Sequence, residues 1–120
     1  MTDLKTAAAR AADWLEANPT KHIVGILATD TAKREVSYSD PHAECFCALG
    51  RLGKELGLTD TRSFKEFVNL LGDDGVHEVY SRNDAGADYK SRLGPDGGYE
   101  MCDGSGGIEA LREIANGNPA

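Results

Sequence analysis

The stretch NDAGADYKSRLGPDGGYEMCDGSGG, residues 83–107, holds seven of the chain's 14 glycines and shows no helical period. A connection of this length is uncommon inside a compact domain unless it carries function or is disordered. The core therefore has to come from the segments on either side of it. Within the stretch, YKSRL and YEMC flank GPDGG, a turn signal. Alternation would place Tyr89, Ser91 and Leu93 on one face, with Tyr99 and Met101 opposite. The pattern predicts a hairpin that projects from the body.

The flanking segments read mainly as helices. Residues 3–17 predict an amphipathic helix: Leu4, Ala7, Ala8, Ala11 and Leu15 share a face, and Trp14 lies at its edge. Thr2 can cap its start, and Asn18-Pro19 ends it because a residue before proline avoids helical geometry. HIVGILA at 22–28 and REVSY at 34–38 predict a small hairpin across the polar TDTAK. Ser39-Asp40-Pro41 has the chemistry of a helix start, with Asp40 as cap and Pro41 at the first position. That helix is expected to run to about residue 55 or 56, with Gly57 beyond it as a C-cap. Ser63 and Glu66 have capping-box spacing before FVNLL, Gly72 interrupts, and 76–82 predicts two more turns. GIEALREIA at about 107–115 predicts the last helix, with Ile108, Leu111, Ile114 and Ala115 inward.

The expected fold is α+β: a compact, mainly helical single domain over 1–120, with four to five helices and one or two small β-hairpins. No apolar run approaches the ~18 residues of a membrane span, and the charged N-terminus does not read as a secretory signal. Three irregularly spaced cysteines read as reduced thiols, so a cytoplasmic location is expected. A net charge of −7 argues against phosphate-backbone binding, which needs a basic face. It suits a protein that docks on a basic surface.

His42-Ala43-Glu44-Cys45-Phe46-Cys47 is the most chemically suggestive run. Placed on a helix, it sends Cys45 and Cys47 roughly 160° apart, so they cannot grip one zinc ion. Cys45 then reads as a small core residue and Cys47 as a residue at the edge of the apolar face. His42 and Cys45 can converge, but only Cys102 and His77 remain as further donors, at no recognised spacing. The His-Ala-Glu triplet has the H-x-E form of zinc deaminases, yet no P-C-x-x-C follows it. No metal and no cofactor is expected. DGSGG at 103–107 could form an anion nest at a helix start, but it lacks the P-loop lysine, and Ser105 lacks the G-x-S-x-G frame of a nucleophile. His22 reads as a partly buried side chain rather than a base. Asn83-Asp84 reads as a turn after a helix end, and Asp84 would need a histidine partner to act in catalysis.

CALGRL at 47–52 after SDPHAE, VYSRNDAG at 79–86 and IEALREIA at 108–115 resemble a family of small bacterial and phage proteins of unknown function. Its members carry an N-terminal helix with a tryptophan-like position, a G-x-L-A-x-D segment, a central W-C-A-x-G-A-L-like helix, a W-N-D-like turn and a final leucine-rich helix. Here Phe46-Cys47-Ala48-Leu49-Gly50 stands for the central motif and Arg82-Asn83-Asp84 for the turn. Arg82 replaces the aromatic, and residues 87–106 exceed the usual connection. The resemblance implies no activity.

The expected function is a small acidic non-enzymatic protein-binding module without catalytic residues. One version is a phage or mobile-element inhibitor of a host nucleic-acid-binding complex, in an anti-CRISPR-like or other anti-defence role. Tyr89, Leu93, Asp96, Tyr99, Glu100 and Met101 are the candidate partner-binding residues. From Asp73 to Asp103, eight carboxylates face three Lys or Arg, which favours a protein partner with a basic surface and no direct contact with nucleic acid or membrane. The alternatives are a small-molecule or nucleotide binder using residues 103–107, or a small enzyme with a His/Cys/Asp site.

Overall fold

The computed structural model describes residues 3–24, 26–58, 65–85 and 105–117. Helix α1, Leu4–Ala17, is followed by a 3-10 turn at Pro19–Lys21. Strands β1 (Ala28–Thr29) and β2 (Cys45–Phe46) come next, then helices α2 (Ala48–Leu56), α3 (Lys65–Ala85) and α4 (Ser105–Ala115). The class is α+β and mainly helical, with four helices and one two-stranded antiparallel sheet among the described residues. None of the described helices is long and apolar enough to cross a membrane.

Helix α1 starts at Asp3, not Thr2: the Asp3 carboxylate accepts the Thr6 N–H at 2.8 Å. Its alanine face (Ala7, Ala8, Ala11, Ala12) is wholly buried with Leu15. Small side chains there let α4 and α2 approach closely. The helix ends at Asn18, whose side-chain amide donates to the Trp14 carbonyl at 2.8 Å, before Pro19 diverts the chain.

The sheet corrects the expected hairpin. Strand β1 pairs with β2, Ala28 opposite Phe46 and Thr29 opposite Cys45. The 34–38 segment does turn back antiparallel beside β1, through a Thr29–Glu35 bridge, the Val36 N–H to Ala28 carbonyl bond of 3.2 Å and the Asp30 N–H to Arg34 carbonyl bond of 3.0 Å, but it forms no strand of the sheet. A tight turn joins them, in which the Asp30 carboxylate accepts the Ala32 and Arg34 N–H groups, both at 2.9 Å.

The start of α2 is also corrected. Asp40 does cap, but it accepts the His42 N–H at 2.7 Å and closes an isolated turn instead of a helix. Extended backbone then wins: Glu44 donates to Thr29 at 2.9 Å and Cys47 to Leu27 at 3.1 Å. These bonds hold 44–47 straight, so the helix begins at Ala48 with Cys47 as N-cap. The tertiary pairing overrides a local capping signal. At the other end Gly57 takes the left-handed conformation (φ 75°) as expected. The Leu58 N–H to Gly53 and Gly57 N–H to Lys54 bonds, both 3.1 Å, complete a Schellman end.

Helix α3 is broken at Gly72, where φ is 77° and ψ 165°. Ser63 of the expected capping box lies outside the described residues. Past Gly72 the helix runs on through Asn83 and Asp84 to Ala85, so these two residues are helical and not a turn. Helix α4 starts two residues earlier than expected, at Ser105. Leu49 and Leu52 of α2, Val79 of α3 and Leu111 of α4 are wholly buried in the shared core. Trp14 meets Phe46 edge-on with ring centroids 5.5 Å apart, and the Arg51 guanidinium lies 4.1 Å over the Trp14 ring.

Candidate functional site

The six residues expected to bind a partner, Tyr89, Leu93, Asp96, Tyr99, Glu100 and Met101, lie outside the described residues, as does the hairpin they were placed on. Three parts of the described structure bear on function: the His42–Cys47 run, a buried junction around Asn83, and an acidic groove.

The His42–Cys47 run is divided between a turn, a strand and a helix cap. His42 is exposed, and Glu44 pairs with Lys21 at 3.5 Å. The two cysteines are the reverse of the sequence expectation: Cys45 is half-buried, while Cys47 is in the core. Cys47 Sγ accepts the Gly50 N–H at 3.4 Å, capping the first turn of α2. Burial pushes its thiol up to about 12; the Gly50 N–H opposes this and the nearby Asp84 charge adds to it. A thiol held protonated in the core is a poor nucleophile and a poor metal ligand. Among the described residues no three His, Cys, Asp or Glu side chains converge on a point that could hold a metal ion.

The junction was not anticipated. Asn83 is wholly buried on α3 and joins three distant parts of the chain. Its Oδ1 accepts the N–H of Ala48, the first residue of α2, at 3.0 Å, and its Nδ2 donates to the Ile23 carbonyl at 3.1 Å and to Asp84 Oδ1 at 3.0 Å. A backbone N–H can only donate and a carbonyl can only accept, so the orientation of the amide is fixed. The His22 Nε2 lies 2.6 Å from that same Oδ1 and must therefore carry the proton and donate it. All four hydrogen-bonding positions of Asn83 are filled. The sequence signal for this residue was the Asn-Asp pair, which also suits a turn.

Gly107 packs directly on the junction. A Cβ there would lie 2.7 Å from both Asn83 Oδ1 and the Ala48 Cβ. Close packing therefore accounts for a glycine at this position. Beside it, Arg82 is about nine-tenths buried and ion-pairs with Glu113 and, at 3.7 Å, with Glu109, fastening α3 to α4.

The groove lies on the surface beside the β1 turn. Asp30, Arg34, Asp40, Pro41, His42 and Glu44 line a cavity of about 360 Å³. The backbone N–H of Arg34 holds the Asp30 carboxyl below its usual range; burial opposes this and the Arg34 guanidinium reinforces it. Three carboxylates against one arginine suit a cationic group better than an anion. A comparison with protein-family models, curated proteins and solved structures gives no match.

Proposed function

We propose that this chain is a non-enzymatic acidic module that binds a protein with a basic surface. The observation that carries the reading is how the structure uses its polar groups. Cys47, His22 and Asn83 are committed to internal bonds or burial. Asp30, Asp40 and Glu44 line a surface groove, each also holding a local hydrogen bond or ion pair. The −7 net charge extends this polarity to the whole molecule. Tyr89, Leu93, Asp96, Tyr99, Glu100 and Met101 supply further contacts in this reading, with aromatic and apolar anchors beside acidic residues. Its most specific version is an inhibitor that occupies the basic channel of a nucleic-acid-binding complex.

The test is affinity capture from the native cells, followed by binding of the purified partner at several salt concentrations. The reading expects a basic protein whose affinity for the module falls steeply as salt rises and for which the module competes with nucleic acid. Turnover of a small substrate by the isolated chain, lost on Cys47→Ala or His22→Ala, would overturn it.

A further inference from the structure

A second concavity, on the α1–α3 side of the molecule, differs in chemistry from the first. Leu4 of α1, Leu56 and Leu58 at the end of α2, and Leu70 of α3 line a cavity of about 370 Å³. The exposed Asp3, Glu66 and Asn69 complete its lining, and among the described residues no cation lines it. Leu70 is 44% exposed and is one of two large apolar side chains on the described surface. Its apolar neighbours in the groove distinguish it from an isolated surface leucine.

We propose that this groove is a docking surface for a basic amphipathic helix of a protein partner. An open trough between helices accepts the apolar stripe of a further helix. Asp3 caps α1 and stays ionised, because the Thr6 N–H holds its carboxyl below the ordinary value. Glu66 is exposed on the first turn of α3. An apolar floor with an anionic rim selects leucine-type anchors flanked by lysine or arginine, and repels an acidic helix. The proposal rests on the reading of the chain as a binder of basic proteins and names the secondary structure of what it binds.

The test uses the full chain with isotope-labelled backbone amides and leucine methyls. The probe is a helix-stapled peptide of about 14 residues with leucines at i, i+3, i+4 and i+7 and lysines elsewhere; a scrambled peptide of equal charge is the control. The proposal expects the shifts to concentrate at Leu4, Leu56, Leu58 and Leu70, with the amphipathic peptide binding at least about tenfold more tightly than the scrambled one. Leu70→Asp, at an exposed position, should weaken binding about tenfold or more. Glu66→Lys should weaken it a few-fold and flatten its salt dependence. Equal binding of both peptides, with shifts around Asp30–Glu44, would overturn the groove and leave the broader acidic-module reading standing. Binding of neither peptide would overturn the groove as a helix-docking surface, while affinity capture tests the broader reading separately. Contacts in the free protein between the Leu70 methyls and residues 59–64 would show the groove filled by its own chain and would also overturn the proposal.

Discussion

Asn83, near the end of α3, accepts the N–H of Ala48 at the start of α2 across 3.0 Å, although 35 residues separate them in the chain. This bond binds one of the free amides that open any helix. The same side chain also secures the His22–Ile23 segment. Asn83→Ala would strand the Ala48 amide in the core and take the donor from the part-buried Ile23 carbonyl. The expected loss is about 2–4 kcal/mol, since each buried unsatisfied group costs roughly 1–3 kcal/mol. Urea denaturation measures it, and a loss below 1 kcal/mol would show that water replaces the amide.

The His22 ring should exist with its proton on Nε2. Long-range proton–nitrogen correlation spectra of the imidazole distinguish the two tautomers. The protonated Nε2 pattern is expected in the native chain and should give way to a mixture in Asn83→Ala. A native spectrum with the proton on Nδ1 alone would contradict the hydrogen-bond assignment.

Cys47 should resist alkylation. With iodoacetamide at pH 8, the half-buried Cys45 should label at least about tenfold faster in the native state, and denaturant should remove the difference. The pH dependence has a defined sign. The folded thiol is raised from the ordinary 9.0 to about 12, so the native state holds a proton that the unfolded chain releases. Its contribution to stability is complete below pH 9 and is lost as pH rises from there toward 12. The stability difference between wild type and Cys47→Ala should shrink over that range, and a difference that grows would reverse the assignment.

Two glycines, Gly50 in α2 and Gly57 at its C-cap, make a paired test. A Cβ on Gly50 would fall 2.0 Å from the Leu27 carbonyl oxygen, the same oxygen that accepts the Cys47 N–H. Backbone cannot yield as a side chain can, so Gly50→Ala should cost at least about 3 kcal/mol. Gly57 has open space around it but a φ of 75°, so Gly57→Ala should cost only about 1–2 kcal/mol. Thermal melts that rank the two the other way would put the β1–α2 packing in doubt.

Much of the helical architecture was legible because its signals are local. The alanine face of α1, the Gly57 cap and the break at Gly72 each follow from residues within a turn or two. The β2 strand was not legible. Its two residues pair with Ala28–Thr29, far back in the chain, and the Asp40-Pro41 cap just before it gave a competing local signal. The same holds for Asn83, whose partners His22, Ile23 and Ala48 are all remote in sequence. An asparagine that fills a buried junction and one that closes a surface turn look alike until the helices are assembled.

The account's central claim is that residues 83–107 bind a basic partner while the helices hold the fold. Asn83 and Gly107 bear on it, because they touch at the base of that segment and pin both its ends to α2. Shortening Lys90–Met101 to a Gly-Ser linker therefore leaves the clamp in place, and a change in loop length itself costs little. The decisive measurement is the calorimetric binding isotherm of this shortened chain with the partner recovered by affinity capture, taken after circular dichroism has checked its helices. The account predicts native helicity and binding weakened about tenfold or more, the remainder being carried by the two grooves. Unchanged binding would move the site off the segment, and loss of helicity would make Tyr89, Leu93, Tyr99 and Met101 part of the core; either result contradicts the claim.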